Sequence, residues 1–159
     1  MTGLALVLSE LHRGERGLSL DLDGVSRRHD GDYEVHYTAR ELARWSRRHT
    51  QAIIDTATES GVRLEPMPLT RTDDDFGRTI DRTGPNVDDA LTILDDLRRL
   101  HLKATGVAVD WLMLAQGAQA SRHGGTFVRL ATRCRPDTLR QLDWTLAMLK
   151  ALSPQALSG

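Results

Sequence analysis

Apolar side chains return at helical spacing over most of the chain. The longest such run lies between Asn86 and Gln119, where Ala90, Leu94, Leu97, His101, Ala104, Ala108, Leu112 and Ala115 recur every three or four positions. At 100° per residue, Leu94, Leu97, Ala108, Leu112 and Ala115 fall within about 40° of His101, a narrow stripe centred on a histidine. A helix of this length, about 50 Å at 1.5 Å per residue, cannot bury such a stripe alone and calls for partners of similar length.

The same periodicity predicts three more helices. The first spans about residues 3–28, with Leu4, Leu8, Leu11, Leu18, Leu22 and Val25 on its inner face. The second spans about 33–60: Asp30-Gly31-Asp32 supplies a turn and a cap before it, Gly61 suits its C-terminus, and Val35, Ala39, Leu42, Trp45, Ser46, His49, Ile53 and Thr56 share one side. The third spans about 87–121, opened by Asn86. The fourth spans about 126–152, with Val128, Ala131, Leu139, Leu142, Leu146 and Leu149 inside, Ser153-Pro154 stopping it and Pro136 kinking or breaking it.

Between the second and third helices, residues 62–85 lose the pattern and collect Pro66, Pro68, Asp73-Asp74-Asp75 and Gly84-Pro85. A connection of about 24 residues reaches roughly 80 Å when extended, enough to travel the length of a helix. The expected architecture is one all-α domain over residues 1–159. It is an up-down four-helix bundle of two helical hairpins joined by a long crossover.

Composition narrows the function more by exclusion than by indication. A formal net charge of −1 provides no global attraction to nucleic acid. No stretch approaches the roughly 18 apolar residues that span a bilayer, and the start carries no signal-peptide pattern. The single cysteine, Cys134, forms no internal disulfide and reads as a small packing residue in a reducing compartment. A cytoplasmic homodimer is expected, with Leu6 and Leu20 on the outer side of the first helix as candidate contacts. Arg40, Arg44 and Arg47 read as a solvated outer face of the second helix.

Several motifs lack their required context. Asp21-Leu22-Asp23-Gly24 looks like the DxDG signature of haloacid-dehalogenase-type phosphotransferases, which needs a preceding strand, whereas the residues here fit a helix. Asp73-x-Asp75-x-Gly77 fails as a calcium loop, because Arg78 and Gly84 stand at its sixth and twelfth positions. His12, His29, His36 and His123 lie at stripe edges, near turns or on outer faces.

Three residues stand out: Glu15, His49 and His101 each sit at the centre of an apolar face. Counted from the nearest turn or cap, they fall within about one turn of a common height. Two readings follow. Imidazole nitrogen and carboxylate oxygen from three helices can hold one transition metal, iron, manganese or zinc, in a water-excluding core. The same groups can satisfy each other as a buried hydrogen-bond network. If the protein is an enzyme, Glu15 would be both ligand and proton acceptor.

The layout resembles the ferritin-like family, which includes rubrerythrins and bacterioferritins, over Leu4 to Leu152. Iron-binding members carry Glu on the first and third helices and Glu-x-x-His on the second and fourth. Glu15 matches the first position. Ser46-Arg47-Arg48-His49 keeps the histidine with serine in place of glutamate, and His101 stands where the third-helix glutamate is expected. The resemblance thus implies a single-metal or metal-free relative rather than a di-iron enzyme. A second resemblance, to metal-dependent enzymes of the DinB type, rests on the bundle and its histidines, although no His-x-x-x-His occurs here. The remaining alternative is a non-catalytic, homo-oligomeric structural or interaction bundle.

Overall fold

A computed structural model describes residues 2–65 and 88–158 of the chain. They form four helices: α1 (Thr2–Arg28), α2 (Tyr33–Glu59), α3 (Asp89–Gln119) and α4 (Gly125–Leu157). There is no strand among the described residues. Most of the expected crossover, along with Asn86, lies outside them.

Each boundary has a local cause. Asp32 caps α2 by accepting from the Val35 N–H at 3.0 Å. At the other end Gly61 takes φ 66°, and the Val62 and Gly61 N–H groups bond back to Ala57 and Thr58. This Schellman arrangement needs a left-handed residue, which glycine adopts without steric cost. Asp88, not Asn86, caps α3, accepting from the Ala90 N–H at 2.9 Å. Between α3 and α4 the chain turns so tightly that a Cβ on Gly124 would lie 1.7 Å from the Ala118 carbonyl oxygen.

The fourth helix is neither broken at Pro136 nor stopped at Ser153-Pro154. It is continuous through Pro136 and runs on past Ser153-Pro154 to Leu157. Both prolines, and Thr132 and Lys150 four residues before them, are on the exposed side. The carbonyls that lose an N–H partner therefore face water, and the helix survives both.

The buried positions follow an alternating spacing of three and four on every helix. On α1 they include Leu8, Leu11, Glu15, Leu18, Leu22 and Val25, a row continued by His29 just past its end; on α2, Val35, Ala39, Leu42, Ser46, His49 and Ile53. On α3 they include Leu97, Leu100, Ala104, Val107, Trp111, Leu114 and Ala118, with Asp96 and Ala108 buried beside them; on α4, Phe127, Ala131, Cys134, Thr138, Gln141, Thr145 and Met148, with Leu130 beside them. This is the seam of helices packed side by side over a common core. Helix α1 packs on α2 and α3, and α4 packs on α3 and α2, leaving α1 and α4 at opposite corners.

The inner faces of α1 and α2 are those expected, whereas α3 and α4 are rotated. The buried centre of α3 lies about 90° from His101, and Leu112, expected inside, is 42% exposed. Helix α3 is apolar almost all round between Leu100 and Ala115, so periodicity alone does not choose its inner side. Bulk chooses it: Leu100, Val107, Trp111 and Leu114 fill the core. On α4, Leu139 and Leu146 are exposed, and the small and polar Cys134, Thr138, Gln141 and Thr145 take the interior.

Candidate functional site

Glu15 is fully buried, and side chains from the other three helices converge on its Oε1. His49 Nδ1 of α2 lies 3.1 Å away, Trp111 Nε1 of α3 donates at 3.0 Å, and Thr138 Oγ1 of α4 donates at 3.3 Å. Its other oxygen, Oε2, is buried with no hydrogen-bond partner among the described residues. The His49 ring continues the chain outward: Nε2 lies 3.1 Å from Asp137 Oδ2, and Asp137 is partly exposed. One turn away Gln141 donates to Ser46 Oγ at 2.9 Å and to the Leu42 carbonyl at 3.0 Å, a second polar link between α2 and α4.

The electrostatics follow from this placement. Burial pulls the His49 pKa down, but hydrogen bonds and negative charge from Glu15 and then Asp137 outweigh it, and the net direction is upward. A protonated ring can donate to a carboxylate from each nitrogen, which is why the direction is upward. An imidazolium has no lone pair to give a metal. Burial, reinforced by the charge of Glu15, pushes the Cys134 thiol up to about 12, so it offers no free thiolate nucleophile at neutral pH.

Of the three residues singled out from the sequence, the fold brings Glu15 and His49 into contact. His101 goes elsewhere: half-buried, its Nδ1 lies 2.9 Å from Thr145 Oγ1 of α4. The α3 residue at the level of Glu15 is Trp111, ten positions beyond His101 and about 15 Å further along the axis. Heights counted from helix starts assumed that α3 begins level with α2. The lateral contacts set a different offset: Gly14 meets Val107, and Asp21 pairs with Lys103 at 2.6 Å. Among the described residues no group of three His, Cys, Asp or Glu side chains is arranged to hold a metal ion.

Sequence reading missed Trp111, Thr138 and Asp137. The signal for Thr138 is the spacing that runs from Phe127 through Ala131, Cys134, Thr138, Gln141 and Thr145 to Met148, visible once polar residues are allowed on the stripe. Asp137, at the rim of that stripe, has no sequence signature. His29, expected near a turn and accessible, is instead buried, with Nε2 2.6 Å from the buried Asp96 Oδ2; Arg28 also reaches that oxygen, at 3.2 Å. Asp21 and Asp23 lie on α1 and pair with Lys103 and Arg47, so the DxDG resemblance has no strand behind it. The Asp73 motif lies outside the described residues.

Fold and site together define an all-α four-helix bundle with an acid–imidazole–acid chain that runs from the buried Glu15 through His49 to the partly exposed Asp137. The chain matches no protein-family model, no curated protein and no solved structure.

Proposed function

We propose that this protein is a non-catalytic, homodimeric interaction bundle of ferritin-like, up-down topology, in which the Glu15–His49–Asp137 chain is a structural element that fixes the helices in register. The observation that carries the reading is that both ring nitrogens of His49 face carboxylates, Glu15 on one side and Asp137 on the other. A buried polar position of this kind rejects slipped helix pairings, because any other register leaves a carboxylate in an apolar layer. The helix adjacency, α1 with α2 and α3, and α4 with α3 and α2, supports two hairpins joined by a crossover. No described helix is long and apolar enough to cross a membrane, and the lone buried thiol suits the reducing cytoplasm.

One observation favours a second reading, a single iron, manganese or zinc ion on Glu15 and His49: Glu15 Oε2 is buried and unpartnered. That reading requires His49 to lose its proton and one carboxylate partner. Elemental analysis of tag-free protein purified without chelator, beside His49→Gln, separates the two. The structural reading expects no metal in either protein, even after incubation with each ion, and a lower unfolding midpoint for His49→Gln. Near-stoichiometric metal in the parent that is lost in the variant would overturn it.

A further inference from the structure

A second seam runs along the outside of α3. Leu102, Thr105, Val109, Leu112 and Gln116 repeat the alternating spacing of three and four by which the helices pack inside the bundle, about 150° away from the inner seam. Thr105, Val109, Leu112 and Gln116 are exposed, as are the adjoining Gly106 and Met113. Val109 and Met113 are 48% and 50% exposed.

In a chain of which 27% is charged, the stretch 102–120 holds only two charged residues, Lys103 and Asp110. Both are turned toward α1: Lys103 pairs with Asp21, and Asp110 is half-buried where Glu10 and Arg13 act on it. The outward face is thus free of charge for about five turns. It offers nothing to nucleic acid or an anionic membrane, and suits a partner equally apolar and helical.

The size pattern points to that partner. A two-fold axis at Val109, with a second α3 running antiparallel, sets Val109 against Val109, Leu112 against Thr105, Met113 against Gly106 and Leu102 beside Gln116. The small half of one seam receives the large half of the other, the self-complementarity that an isologous dimer requires. Gly106 costs its helix about 1 kcal/mol relative to alanine, yet a Cβ there would meet nothing within 4 Å. Its own chain gives no steric reason for the missing side chain, whereas the facing Met113 of a second copy does.

We infer that the protein self-associates through this outer α3 seam, with a second copy of the chain as the occupant. The inference rests on the homodimer reading above and places its interface on α3 rather than at Leu6 and Leu20 of α1. A strip about 21 Å long and about 10 Å wide falls well short of the roughly 800 Å² that a standard interface takes from each partner. The half-buried Ala115 of α3 and the exposed Leu139 of α4 line a surface cavity of about 250 Å³ beside the strip, which gives a second copy further apolar surface to cover. A contact below the standard size gives a weak, reversible dimer, with a dissociation constant on the order of micromolar or above.

Sedimentation equilibrium on the full chain tests this, with Val109→Glu beside Leu6→Lys/Leu20→Lys and with circular dichroism to verify helix content. The expected result is a dimer whose dissociation constant rises roughly tenfold or more in Val109→Glu, while the α1 variant stays dimeric. A monomeric parent overturns the homodimer reading and this inference together. A dimer unaffected by Val109→Glu but lost in Leu6→Lys/Leu20→Lys overturns only the α3 placement. Cysteine pairing tests the geometry independently of stability. Val109→Cys is expected to cross-link to itself, and Thr105→Cys to cross-link with Leu112→Cys only when the two are mixed. Self-cross-linking of Leu112→Cys alone would instead indicate parallel helices and overturn the two-fold arrangement.

Discussion

Trp111 donates its indole N–H to Glu15 Oε1 at 3.0 Å, joining the largest buried side chain of α3 to the carboxylate at the centre of α1. The ring fills the level of the core where a third metal ligand was expected, and its one polar atom is spent on the carboxylate. Trp111→Phe keeps most of the packing and removes the donor. A loss of about 1–3 kcal/mol, the cost of leaving a buried acceptor short of a partner, is expected in urea denaturation. No change would mean that the indole N–H contributes nothing to holding Glu15.

Glu15 and His49 form one unit, so their substitutions should not add. His49→Leu leaves a buried carboxylate with only Trp111 and Thr138, at an expected cost of about 3–5 kcal/mol. The double variant Glu15→Leu/His49→Leu removes both partners, and its cost should fall below the sum of the singles by about 0.5–3 kcal/mol. Additive losses in the four denaturation curves would show two independent sites.

The raised pKa of His49 sets a direction for the pH dependence. A histidine whose folded pKa lies above its unfolded value of 6.5 binds its proton more tightly in the folded state. Its stabilisation is complete below pH 6.5 and is lost as pH rises through the folded value. The stability gap between the parent and His49→Gln should therefore be widest below pH 6.5 and narrow toward alkaline pH. His12, whose pKa is lowered by burial and by Arg16, acts in the opposite sense. It is present in both proteins, so its effect cancels in the difference.

Cys134 should be silent toward thiol reagents. Burial and the charge of Glu15 hold its pKa near 12, so at pH 8 the folded protein offers neither access nor thiolate. Reaction with a chromogenic disulfide is expected only on unfolding, at one equivalent. Prompt labelling of native protein would show that the α4 seam opens around this residue.

Much of this structure follows from the chain's periodicity and punctuation. Four helices, their approximate ends, the cap at Asp32 and the left-handed Gly61 come from local rules that act within a few residues. The inner faces of α1 and α2 are equally legible, because each has one apolar side and one charged side. Glu15 and His49 stand out on those faces as polar groups that must find partners when buried.

Only the tertiary structure decided what those partners are. Helix α3 is apolar nearly all round and α4 carries polar residues on its core seam, so both admit more than one rotation about their axes. Packing selected the faces bearing Trp111 and Thr138, turning Leu112, Leu139 and Leu146 outward. The height of α3 against α1 is likewise a sum over contacts between helices distant in sequence. Glu15 consequently meets Trp111 and not His101, and Asp137 completes the chain from outside the apolar stripe. Local propensity acts over a few residues, whereas axial offset and rotation are settled by the whole core at once.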